Sequence, residues 1–359
     1  MIPASSFDFL KRLLDANAPS GFETPAARIW RAEAEGISDR VDVDVSGNST
    51  AILNPGGSPR VMLAGHIDEI GLMITHIDED GFLYVDGIGG WDSQVLVGQR
   101  LRILTRKGIV MGVVGKKPIH LMKPDEREKV SKLSDLWLDI GASDREEAES
   151  RGLRVGDPAV VDASMLQLGE DLIASRAIDN RIGAFIVLEA VRLLAERSSP
   201  PAAEVAAVAT AQEEIGSNGG GARTSAYHLD PQIALVVDVT FASDAPQIEK
   251  KQTGEHKLGS GPVLSRGSAI HPLVFERLAS TAEAENIPFT IQASPRSTST
   301  DADAIYLSRA GVATGVISVP NRYMHSPNEI VSLSDLSATA QLIAAFVEGL
   351  SADTDFVPR

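Results

Sequence analysis

The 359-residue chain carries 33 Lys and Arg against 49 Asp and Glu, a formal charge of −16, with 43% hydrophobic residues and no cysteine. This is a globular composition, long enough for more than one domain; it excludes disulfides, thiolate metal sites and cysteine nucleophiles, and it offers none of the basic patches that nucleic-acid binding needs. The opening residues MIPASSFDFLKRLLDA show no basic segment followed by an apolar core, and no apolar run reaches the roughly 18 to 20 residues of a membrane span, so the sequence reads as cytoplasmic with no membrane partner.

Phe7, Leu10, Leu13 and Leu14 fall at helical spacing, with Ser5 or Ser6 as the cap. Thr24-Pro25 marks the N-cap and first position of a second helix to about residue 35. Strands are expected at 41–45, 50–53 and 61–64, the last running into Gly65-His66. Between 71 and 161 the pattern changes to short β-like runs parted by turns such as Glu79-Asp80-Gly81 and Lys107-Gly108, with one clear helix at 144–151. After Asp179 helices are expected at 180–196, after Pro272, at 302–309 and at 334–350, and strands at 204–210, 233–238, 289–293 and 312–319. The fold class expected is α/β: a mixed sheet flanked by helices, built from residues 1–70 and 162–359, with 71–161 an inserted, mainly β domain.

Ligand chemistry in such sheets sits at the carboxyl ends of strands, and there the sequence places ionisable residues. The 61–64 run leads to His66 and Asp68, the 172–178 run to Asp179, the 204–210 run to Glu213-Glu214, the 233–237 run to Asp238, and the 316–320 run to His325. Singly, each has a plain reading: Asp179 as a helix cap, Asp238 as a turn residue, the glutamate pair as a solvated first turn. Together, several carboxylates converging on one buried sheet edge repel one another unless a cation joins them. With imidazole and carboxylate ligands and no thiolate, zinc, cobalt or manganese fits. Asp68 stands two residues from His66, where it can orient the imidazole, and Asp179 has two oxygens with which to bridge two ions. Adjacent glutamates leaving a strand project to different sides, so one of the pair can bind metal while its neighbour handles a proton.

Six motifs carry a resemblance: Gly65-His-Ile-Asp-Glu-Ile-Gly71, Gly115-Lys-Lys-Pro-Ile-His120, Ala177-Ile-Asp-Asn-Arg181, Gln212-Glu-Glu-Ile-Gly216, Val237-Asp-Val-Thr240 and Met324-His-Ser-Pro327. In this order and at these separations the chain resembles the di-metal aminopeptidases that include the glutamyl aminopeptidases and the tetrahedral TET peptidases, some members of which carry the label endoglucanase. The resemblance implies two divalent ions per subunit, zinc first, with cobalt or manganese as alternatives. It implies His66 and Asp238 on one ion, Glu214 and His325 on the other, Asp179 bridging, and Glu213 as general base, with Asp68 completing the catalytic set. It also implies a cis Asp179-Asn180 peptide, peptide substrates cut at the N-terminus by a metal-activated water, and a homo-oligomer in which dimers joined through 71–161 build a dodecamer. His120 is expected to be structural, and Thr298-Ser-Thr-Asp-Ala302 has Ser299 where the family has Gly. The alternatives are a deacylase or carboxypeptidase on a related fold, a non-catalytic metal scaffold, and an endoglucanase. The last is disfavoured because two adjacent glutamates do not flank a glycosidic bond and aromatic residues make up only 5% of the chain.

Overall fold

Strands buried on both faces build the centre of the molecule, which we describe from a computed structural model covering residues 2–216 and 219–359. An eight-stranded sheet runs in the order Arg40–Val43, Ser49–Leu53, Glu204–Thr210, Arg60–His66, Ile233–Phe241, Ala313–Asn321, Val263–Gly267, Thr290–Ser294. Its four central strands, from Glu204–Thr210 to Ala313–Asn321, are parallel. The flanking pairs beside them turn antiparallel, so the sheet is mixed. The helix Ile178–Ala195 packs on the central strands and Leu333–Glu348 packs on that helix. Their apolar residues, with Phe9, Trp30 and Phe185, form one continuous core. Among the described residues no helix is long and apolar enough to cross a membrane.

Six strands between Gly71 and Val161 close into a separate barrel with its own apolar interior, including Leu72, Ile74, Leu101 and Ile103. The barrel leaves the main sheet within five residues of His66, so one end of it lies beside the carboxyl ends of the parallel strands.

Several expectations shift. The first helix, Ala4–Asp15, starts on Pro3, whose φ of −58° already suits a helix, and has no side-chain cap. Ser5 and Ser6 lie inside it, and the Ser6 hydroxyl donates to buried Glu189 at 2.8 Å. Thr24 opens the second helix, with Glu23 as its cap position. The strand expected to stop at Asp238 continues to Phe241, because Val-Asp-Val-Thr-Phe keeps pairing with Ser318–Asn321 after the apolar run ends. Asp238 is therefore inside the strand rather than at its tip. The expected 302–309 helix lasts only from Ala302 to Ile305. The helix Gly220–Leu229 was hidden by two leading glycines.

Candidate active site

Each site residue is fixed by its backbone first. His66 ends its strand after Gly65, where a Cβ would lie 2.3 Å from the Gly183 carbonyl carbon, so the glycine lets helix Ile178–Ala195 approach the strand closely. Asp179 precedes the regular part of that helix through a cis peptide to Asn180. The Asn180 amide donates to the Val237 carbonyl at 2.7 Å and accepts from the Gly183 N–H at 3.0 Å, tying the Asp179 segment to the Asp238 strand. The Glu213 and Glu214 N–H groups both donate to the Asp68 carboxylate, at 3.2 and 3.1 Å. Asp68 thus positions the glutamate pair as well as standing beside His66.

The side chains converge. His66 Nε2 is 3.2 Å from one oxygen of Asp179, and His325 Nε2 is 3.4 Å from the other. His325 Nε2 is also 3.5 Å from Glu214, and His66 Nε2 is 3.6 Å from Glu213. His66, Glu213 and Asp238 offer ligand atoms within 4.8 Å of one another, as do His66, Asp179 and Glu214. Two donors each bound about 2.0 to 2.1 Å from a tetrahedral ion stand roughly 3.4 Å apart, so these separations suit shared coordination better than hydrogen bonding. A buried oxygen of Glu214 has no hydrogen-bond partner, a further sign of a place for a cation. On the far side of the rings, His325 Nδ1 faces the Gly90 carbonyl of the barrel at 2.9 Å. His66 Nδ1 faces Asp68 at 3.4 Å, within ion-pair range but not aligned as a hydrogen bond. Both arrangements leave Nε2 for a metal.

The charges agree with this. Burial, with the other carboxylates, pushes Glu214 and Asp238 well above the usual carboxylate range and Glu213 up to about 8. Burial also opposes the charge on Asp179, but His325 and His66 outweigh it and hold that carboxyl low. A cluster that cannot keep its carboxylates ionised in isolation gains most from a bound divalent ion. His120 is exposed on the single turn Ile119–Leu121 and belongs to neither ligand group.

Sequence reasoning missed Glu329. It is buried, and its two oxygens accept the backbone N–H groups of Asp179 at 2.9 Å and of His325 at 2.8 Å, so one carboxylate positions two of the site-bearing segments. The only signal was a carboxylate four residues after His325. A glutamine has one acceptor oxygen and leaves one N–H facing an NH₂ group. Glu329→Gln is expected to weaken metal binding by about 10- to 100-fold, read by chelator competition. Asp301, also buried, accepts from the Thr210 hydroxyl and is raised by burial to about 6. Ser299 holds φ at 55°, the left-handed region a glycine would occupy.

A mixed sheet with His and carboxylate side chains gathered at the ends of its parallel strands has the architecture of a metal-dependent hydrolase. The sequence profile of the M42 glutamyl aminopeptidases matches residues 47–342. A lysyl aminopeptidase of Pyrococcus furiosus is 37% identical, covering 98% of this chain and 99% of its own. The crystal structure of a TET aminopeptidase from a marine-sediment Thaumarchaeota archaeon superposes with a TM-score of 0.92 at 36% identity, covering 97% of each chain. The TET1 peptidase of Pyrococcus horikoshii, which can assemble into a tetrahedron or a large octahedral shell, superposes at 0.83 with 31% identity, over 96% of this chain and 100% of its own. The chain belongs to the M42 family of metal-dependent aminopeptidases.

Proposed function

We infer that this aminopeptidase works with two divalent ions per chain, one held by His66 and Asp238 and the other by Glu214 and His325, with Asp179 shared between them. The observation that carries the reading is Asp179 itself, each oxygen of which faces a different imidazole, at 3.2 and 3.4 Å. When bound, the ions would supply Lewis acidity toward the scissile carbonyl and lower the pKa of water. Glu213 then takes the proton from the attacking water and delivers it to the leaving amine nitrogen. Asp68 holds the Glu213 and Glu214 N–H groups and so fixes where both carboxylates point.

Chelation is expected to abolish release of N-terminal residues from peptides, and zinc, cobalt or manganese to restore it. Elemental analysis of the restored enzyme should give two ions per chain; a single ion with full turnover would overturn the shared bridge. N-acyl amides and cellulose tested alongside should remain uncut, which separates this reading from a deacylase and from an endoglucanase.

We also infer a homo-oligomer built through the barrel. Ile109, Met111 and Val113 alternate along strand Gly108–Gly115 and are 55%, 47% and 47% exposed, an outward apolar row that suits a partner surface. Mass measurement in solution is expected to give a dimer or a multiple of it, with a monomer as the contrary result.

A further inference from the structure

We propose that this enzyme removes N-terminal residues with uncharged side chains, in preference to lysyl or glutamyl residues, and that Gln292 helps set that preference. The proposal rests on the two-metal aminopeptidase reading above.

The chamber that holds the ligand cluster has a volume of about 430 Å³. Much of its wall beyond the cluster is formed by strands of the main sheet, through Thr240, Ser265, Gln292, Ser294, Val316 and Ser318. Thr240, Ser265, Ser294 and Ser318 are buried, and the Thr240 hydroxyl donates to the Gln292 side-chain oxygen at 2.8 Å, pairing two polar groups from separate strands of the sheet. Among the described residues, every lining side chain outside the cluster is uncharged.

Loaded with two divalent ions, the cluster would be close to neutral overall. Four carboxylates, Asp179, Glu213, Glu214 and Asp238, bring four negative charges, which two divalent ions balance with four positive ones. A lysyl ammonium entering this space gives up its water and finds no carboxylate on the strand wall; a glutamyl carboxylate finds no guanidinium or ammonium there. An uncharged side chain loses little water and meets hydroxyls, an amide and the Val316 methyls. Selection against charge here is a matter of what the wall lacks, the usual way a pocket rejects the wrong ligand.

An adjoining cavity, about 960 Å³, shares Glu213 with the chamber but is also lined by Arg223, Arg309, Asp301 and Asp303. Its mixed charges suit the trailing part of a peptide, which carries residues of either sign. The neutral chamber and the charged cavity, meeting at Glu213, thus divide the substrate at the bond to be cut.

The test is kcat/KM of the metal-loaded enzyme on leucyl, methionyl, glutaminyl, lysyl and glutamyl anilides. The uncharged three are expected to exceed the lysyl and glutamyl substrates by about 100-fold or more. Gln292→Glu is expected to raise the lysyl-to-leucyl ratio, and Gln292→Lys the glutamyl-to-leucyl ratio, each by about 10-fold. Turnover that is greatest on the lysyl or glutamyl anilide overturns the preference and leaves the aminopeptidase reading intact. Ratios unmoved by both substitutions overturn the role of Gln292. Absence of turnover on all five overturns the aminopeptidase reading, and this proposal with it.

Discussion

Glu213→Gln is expected to lower turnover by about 1,000-fold, within the range a positioned general base contributes, with the metal content unchanged. The structure makes this a sharp expectation because Glu213 has two possible employments. Its carboxylate lies close enough to His66 and Asp238 to act as a ligand, yet it also lines both cavities, and its side chain is 19% exposed where that of Glu214 is 5%. The more open position is the one from which a base can reach both an attacking water and a leaving amine. Metal content and kcat measured on the same preparation decide between the roles. Loss of an ion from the glutamine variant makes Glu213 a ligand, whereas Glu214→Ala is expected to lose the ion itself.

Glu69→Gln is expected to destabilise the fold by about 3 to 5 kcal/mol, the cost of stripping the partner from a buried ion pair. Glu69 sits behind the site with two guanidinium groups on it. Arg176 donates to both its oxygens, and Arg181 donates to one at 2.8 Å. Arg181 is fully buried and also donates to the carbonyls of Ala16 at 2.6 Å and Ile67 at 3.0 Å, so it cannot swing out to water when Glu69 loses its charge. Burial works against the Glu69 carboxylate, but Arg176 and Arg181 outweigh it and hold its pKa below the ordinary 4.5. A carboxyl lowered in the folded state contributes stability that is fully present above 4.5 and is lost as pH falls through the folded value. Denaturant midpoints across acidic pH should therefore fall more steeply in the natural protein than in the glutamine variant, which starts lower. Parallel curves would assign the acid sensitivity elsewhere.

Much of the site was legible because its residues occupy short motifs at the ends of apolar runs. His66, Asp179, Glu213, Glu214 and His325 each follow such a run, and the structure brings them within a few ångströms of one another. Asp238 was legible as a residue but not as a position, since alternation within Val-Asp-Val-Thr-Phe continues the strand where the apolar run stops. Glu329 was legible only as a carboxylate four residues after His325, with nothing to say what it holds. Its partners are backbone N–H groups, one of them 150 residues away, and a backbone donor leaves no trace in side-chain spacing. The same holds for the hold of Asp68 on Glu213 and Glu214, and for the Arg176–Glu69–Arg181 group, where the charges were visible but the burial was not. Gly65 carried no sign of its role either; the close approach of helix to strand that it allows appears only when the two are packed.

The residues that meet around Asp179 are drawn from almost the whole length of the chain, from His66 to His325, and the barrel lends the carbonyl of Gly90 to the last of them. A polypeptide leaves the ribosome from its N-terminus, and its domains fold as they emerge. The barrel can close early, since its strands are near neighbours in sequence, but the main sheet lacks Ala313–Asn321 until late in synthesis. The candidate site around Asp179 is therefore assembled only after the segment that carries His325 has been made.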